Sequence, residues 1–187
     1  MQPLYKQQNM RKSFLTILLS AFIAITAIFT ESSCSAHKNS LTYEDSIANV
    51  AAQRMLQSAD FVLTGTQLTI GSRTFTVTPN TNFVLVQGEK AIVQASPRIA
   101  GGPNGVGGIT FAGTISGYKS EVNKKGQTLV KFHIMAPIGS ATVSVVLEKG
   151  YNGATANVSG DFNGRNILLR GKIQSTGAGN YIQGRSR

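Results

Sequence analysis

Three periods of hydrophobic and polar positions succeed one another along this 187-residue chain. The first is an apolar run from Phe14 to Phe29, diluted by Thr16, Ser20 and Thr26 and preceded by basic Arg11 and Lys12. The second, "LTYEDSIANVAAQRMLQSADF", carries a helical period. Thr42 stands at its N-cap, Glu44 and Asp45 fall in its first turn, and Ile47, Val50, Ala51 and Met55 share the face expected to pack on a sheet. From Phe61 onward the period is two. "RTFTVT" places Phe75 and Val77 on one face and Thr74, Thr76 and Thr78 on the other. "NFVLVQG" and "KAIVQAS" read as strands joined at Gly88-Glu89. "ITFAGTISGYKSEV" and "TLVKFHIMA" flank the loop "NKKGQ", and "SATVSVVLE" turns Ala141, Val143, Val145 and Leu147 to one side.

A two-residue turn at Asn163-Gly164 would pair Phe162 with Arg165, Gly160 with Ile167 and Val158 with Leu169, with Ala156, Val158 and Leu169 on one face. Short strands at this spacing predict an all-β fold, an antiparallel β-sandwich or small barrel, with one N-terminal helix over an open end or edge. The polar, glycine-rich stretch 174–187 is expected to be a flexible tail. No internal repeat or second domain boundary is visible in the mature part, so 42–173 reads as one helix-plus-sheet domain.

The apolar run changes where the chain is expected to reside. A basic start, an apolar stretch and small residues after it make a secretory signal over 1–33. At 16 residues the run is short of the roughly 20 that span a bilayer. Translation from Met10 instead of Met1 would give a more compact signal. Cys34, the chain's single cysteine, follows in "ESSC", a pattern similar to a bacterial lipobox, in which the thiol is diacylated and becomes the mature N-terminus. Glu31 stands where such a box usually has an aliphatic residue. The rival is cleavage after Ala36, giving a soluble secreted or periplasmic protein. With lipidation, 34–41 is a polar tether, and the protein is expected on a membrane of a Gram-negative envelope, facing the periplasm.

Charge and composition narrow the functional classes. Lys+Arg 18 against Asp+Glu 8 gives +10, of which +8 remains once residues 1–33 are removed, so the basicity belongs to the domain. Lys119, Lys124, Lys125 and Lys131 gather around one hairpin, and Arg165, Arg170 and Lys172 around another. The charge reads either as a solvated surface with spare lysines or as a functional patch. Sparse aromatic interleaving argues against nucleic acid, so a functional patch would meet anionic lipid or glycan. Protein partners are not legible. The glycine-rich "RIAGGPNGVGGITF" leads into a strand and lacks the lysine of a phosphate loop. Its Gly101, Gly102, Gly105, Gly107 and Gly108, with Lys124 and Lys125, are the candidate ligand-binding positions.

No catalytic constellation, metal site or cofactor is expected. His37 falls in the tether, and His133 shares the solvated face of its strand with Lys131. With one cysteine, metal ligands have nothing to cluster around, and no G-x-S-x-G elbow occurs. The composition is therefore read as a non-enzymatic, lipid-anchored envelope domain with a binding or structural role. The alternative is a barrel whose cavity carries a lipid or other small apolar ligand.

The segments "VTPNTNFVLVQGEKAIVQASP", "GGPNGVGGITFAGTISGYK" and "GRNILLRGKI", together with the signal-plus-cysteine start, resemble the Bacteroidetes lipoproteins grouped as domain of unknown function 4251. The resemblance runs from about Ala59 to Ile173. That family usually carries an aromatic, proline-containing segment before the glycine loop, where this chain has "QASPRIAGG". It implies the fold and the envelope location, and brings no biochemical activity with it.

Overall fold

The computed structural model describes residues 41–97, 107–137, 139–160, 166–178 and 181–184. The signal segment, Cys34 and the rest of the tether before Leu41, Gly101, Gly102, Gly105 and the Asn163-Gly164 turn lie outside them. Helix α1 (Tyr43–Gln57) precedes nine strands: β1 (Asp60–Ile70), β2 (Arg73–Thr76), β3 (Phe83–Gln87), β4 (Lys90–Ala95), β5 (Ile109–Val122), β6 (Thr128–Ala136), β7 (Gly139–Leu147), β8 (Gly153–Gly160) and β9 (Ile167–Gln174). All neighbouring strands are antiparallel, and β9 pairs back onto β1. The sheet therefore closes into an eight-stranded barrel, β1-β3-β4-β5-β6-β7-β8-β9, with β2 folded onto the far half of β1. Of the two architectures the strand pattern allows, the barrel is the one formed.

Alternation decides what fills it. Inward side chains of the strands form one continuous core, including Phe61, Leu63, Val143, Val145, Ile167 and Leu169. Each large apolar side chain buried in this way contributes about 1.5–3 kcal/mol. Strand β3 is apolar on both faces for a reason. Val84 and Val86 point into the main core, whereas Phe83 and Leu85 belong to a second cluster with Val62, packed under Ile92 and Tyr181.

That second cluster explains the C-terminal segment. The Tyr181 ring lies 5.3 Å from the Phe83 ring, and its hydroxyl donates to the Thr176 carbonyl at 2.8 Å. The Ile182 and Gly184 amides donate to the Asn80 carbonyl and to Gln94 Oε1. At its described residues, the stretch expected to be a loose tail is fastened across the outside of β1, β3 and β4.

Helix α1 starts at a capping box: Asp45 N–H donates to Thr42 Oγ1, and Thr42 N–H donates back to Asp45 Oδ2. The Thr42 amide and hydroxyl, both donating to Asp45 Oδ2, hold the Asp45 carboxyl below its ordinary pKa. The helix closes one end of the barrel, with Ala52 and Leu56 buried in the main core.

The docked face is not the expected one. Of the expected residues only Met55 packs on the core; Ile47, Val50 and Ala51 are exposed, and Asn49, Ala52 and Leu56 are buried instead. Asn49 selects this face, because its Nδ2 donates to the carbonyls of Glu148 (2.7 Å) and Tyr151 (2.9 Å) in the β7–β8 connection. A buried amide with two partners costs little, which hydropathy alone does not register. At the other end of the helix, the Tyr118 hydroxyl donates to the Leu56 carbonyl, and its ring stacks on Phe132.

The last hairpin also departs from expectation. Val158 pairs with Ile167 and Ala156 with Leu169, a slip of two residues from the Val158–Leu169 register. An even slip leaves every side chain on its predicted face, so alternation cannot detect it. The second partner of β9 fixes the register, with Leu68 opposite Leu169 and Leu63 opposite Ile173 on β1.

Candidate functional site

Strand directions sort the sequence-predicted candidates to opposite ends of the barrel. The β5–β6 loop, with Lys124 and Lys125, lies at the end closed by α1, together with the β7–β8 connection. Gly107 and Gly108 lie at the other end, where β4 finishes and β5 begins. The structure therefore does not assemble these lysines and glycines into one site.

Gly108 has a structural explanation. Its φ is +81°, and a Cβ there would collide with the Ala95 carbonyl oxygen. Only glycine fits this approach of β5 to β4. Lys124 and Lys125 are solvated at a loop whose geometry comes from Asn123, whose Oδ1 accepts from the Lys125 and Gln127 amides. His133 is exposed, as expected, with Nδ1 3.0 Å from Thr142 Oγ1.

A concavity runs along the outer wall. It is a groove of about 760 Å³ over β1, β8 and β9, lined among others by Thr64, Gln67, Tyr151, Thr155, Arg170 and Lys172. Alternation builds it: Ile167, Leu169 and Ile173 of β9 point inward, so Arg170 and Lys172 point outward and are exposed. Register then brings their neighbours alongside. Arg170 stands opposite Thr155 on β8 and Gln67 on β1, and Lys172 stands opposite Gly153 and Thr64.

The wall under the groove is fixed by Asn152, which extends the β8–β9 ladder by donating Nδ2 to the Ile173 carbonyl (2.7 Å) and accepting from the Ile173 amide (3.0 Å). At one rim, Glu148 accepts a 2.7 Å hydrogen bond from Gln127 Nε2. The positive charge of Lys172 adds a smaller lowering of the Asp45 pKa to that of the Thr42 hydrogen bonds.

Two cations among hydroxyls, amides and a half-exposed tyrosine make a surface suited to an anionic or polyhydroxylated ligand. Among the described lining residues, Glu148 is the one carboxylate. Sequence reasoning singled out Arg170 and Lys172 as basic residues, but it did not connect them with Thr64, Gln67 and Tyr151. The signal available was the outward half of each alternating strand, and only the register of β1 on β9 unites those halves.

Among the described residues, no group of three or more His, Cys, Asp or Glu is placed to hold a metal ion. No helix among them is long and apolar enough to cross a membrane.

Comparison with known proteins agrees with this architecture. Residues 43–173 match the family described as "Domain of unknown function (DUF4251)". The fold is similar to the crystal structure of a DUF4251 family protein from Bacteroides eggerthii, with 33% sequence identity and a TM-score of 0.62. The similarity covers 73% of this chain and 93% of that one. No curated protein matches the chain.

Proposed function

This chain belongs to the DUF4251 family, and from that premise we propose that it is a lipid-anchored envelope barrel that binds through its outer wall and catalyses no reaction. The observation carrying this reading is the filled interior. Phe61, Phe132, Ile134, Leu147 and Leu169 are fully buried inside the barrel, and Leu56 of α1 packs into the same core. A carrier of apolar cargo needs an empty centre, so the cavity-carrier reading has the weaker support. The outer groove, with Arg170 and Lys172, offers the recognition surface, and its chemistry fits an anionic glycan or a lipid headgroup.

Anchoring follows from "ESSC" after the apolar run, with Cys34 as the acylated residue and the membrane as its first partner. The polar "SAHKNS" tether, which has no acidic run, favours a periplasm-facing position over the cell surface. Metabolic labelling with a radioactive fatty acid tests the anchor. Label is expected in the wild type and absent from Cys34→Ala, and an unlabelled wild type overturns it.

A further inference from the structure

Helix α1 carries a second apolar stripe that stays exposed and belongs to neither buried core cluster of the described residues. Tyr43, Ile47 and Val50 follow one another at i, i+4 and i+7, and they are 81%, 53% and 47% exposed. Leu41, just before the helix, is 56% exposed, with the rest of its side chain resting over Gly150 of the β7–β8 connection. The stripe is not a loosely docked core face, because the docking role is filled by Asn49, Ala52 and Leu56 on a different side. Nor is it fixed by helix formation, since solvent-facing positions of a capped helix accept polar residues freely. Exposed apolar residues in a contiguous group mark a surface that meets something apolar.

The position of the stripe in the chain names its occupant. Six residues separate Cys34 from Leu41, so the fully extended tether, seven Cα–Cα steps long, spans at most about 25 Å. Acyl chains on Cys34 would hold the start of α1 within that distance of the bilayer. We propose that the Leu41, Tyr43, Ile47 and Val50 face of α1 rests in the boundary between lipid headgroups and acyl chains, as a second membrane contact beside the lipid. This inference rests on the anchored reading above.

The residue types suit that depth. Tyrosine places an apolar ring and a polar hydroxyl across the interface, and an amphipathic helix lying there buries its face by about 5–10 Å. Charge at this end of the barrel is mixed, with Lys124, Lys125 and Lys149 set against Glu44, Glu89 and Glu121. The contact is therefore apolar in the main and independent of lipid charge. Its consequence is orientation: a barrel held at both tether and helix keeps a fixed end toward the membrane, where a tether alone would let it tumble.

The chain contains no tryptophan, so one introduced residue is a site-specific probe. Full-length Ile47→Trp and Ser72→Trp proteins are incorporated into phosphatidylcholine vesicles, with and without acyl-brominated lipid. Ser72 is exposed in the β1–β2 turn, at the barrel end away from α1. Fluorescence of Ile47→Trp is expected to be blue-shifted and quenched several-fold more than that of Ser72→Trp. Equal quenching in fatty-acid-labelled protein overturns the inference while leaving the anchor intact. Preferential quenching of Ile47→Trp in protein whose Cys34 carries no label upholds the helix contact and removes the anchor. A blue shift in lipid-free solution, with sedimentation as a dimer, assigns the stripe to a second copy and overturns the membrane assignment.

Discussion

Phe132→Ala is expected to destabilise the barrel by about 3–5 kcal/mol, the range for deleting a fully buried phenylalanine. The Phe132 side chain is fully buried on the inward face of β6, and its ring centroid lies 5.6 Å from that of Tyr118 in a stacked pair. Removing the ring leaves a void between β5 and β6 and takes away the surface that orients Tyr118. The Tyr118 hydroxyl holds the C-terminal turn of α1 through the Leu56 carbonyl, so the damage extends to the barrel end. Thermal unfolding of the variant should shift down by on the order of 10 °C for a domain of this size. Hydrogen exchange should rise first in the last turn of α1. A shift of only a degree or two would mean that the interior is loosely filled at Phe132.

Gly171→Ala is the second substitution with a large expected effect, and its cause is backbone, not core volume. Gly65 of β1 and Gly171 of β9 stand opposite each other, next to a register shift between Gly65 and Gln67. A Cβ on Gly171 would collide with the Thr64 carbonyl oxygen and lie 2.7 Å from its carbon. Those atoms belong to the strand that closes the barrel, so they cannot swing aside as a side-chain end would. Glycine pairs and bulges of this kind let a sheet coil tightly enough to close. A loss of at least about 3 kcal/mol is expected, at the upper end of the cost of overpacking. Gly177→Ala, where a Cβ meets nothing within 4 Å, should stay within about 0.5 kcal/mol of wild type in the same denaturant titration. Equal stability of the two variants would contradict the close approach of β1 and β9.

The strand half of this fold was legible because each strand has one side in the core. Ala141, Val143, Val145 and Leu147 are all buried, as their alternation predicts, and Gln87 pairs with Lys90 across the Gly88-Glu89 turn. Three features escaped for physical reasons. Helix α1 has apolar residues on two faces, and a polar residue, Asn49, decides between them through carbonyls about one hundred residues away. The register of the last hairpin is set by β1, a strand remote in sequence, and a two-residue slip leaves the face pattern unchanged. Tyr181 looked like part of a polar tail because the surface it covers, Phe83 and Leu85, lies on the outside of the barrel. The candidate groove escaped for a related reason. Thr64, Gln67, Thr155 and Arg170 sit on three strands, and no local motif joins them.

We propose that the anchor, the helix face and the outer wall do the work of this protein, around a lumen filled by its own side chains. Native mass spectrometry of the protein released from its own membranes tests this most directly. The predicted species is a chain beginning at Cys34, heavier by its covalently attached lipid and free of any non-covalent apolar ligand. A chain cleaved after Ala36, or one carrying a stoichiometric co-purified lipid that dissociates on activation, would contradict it.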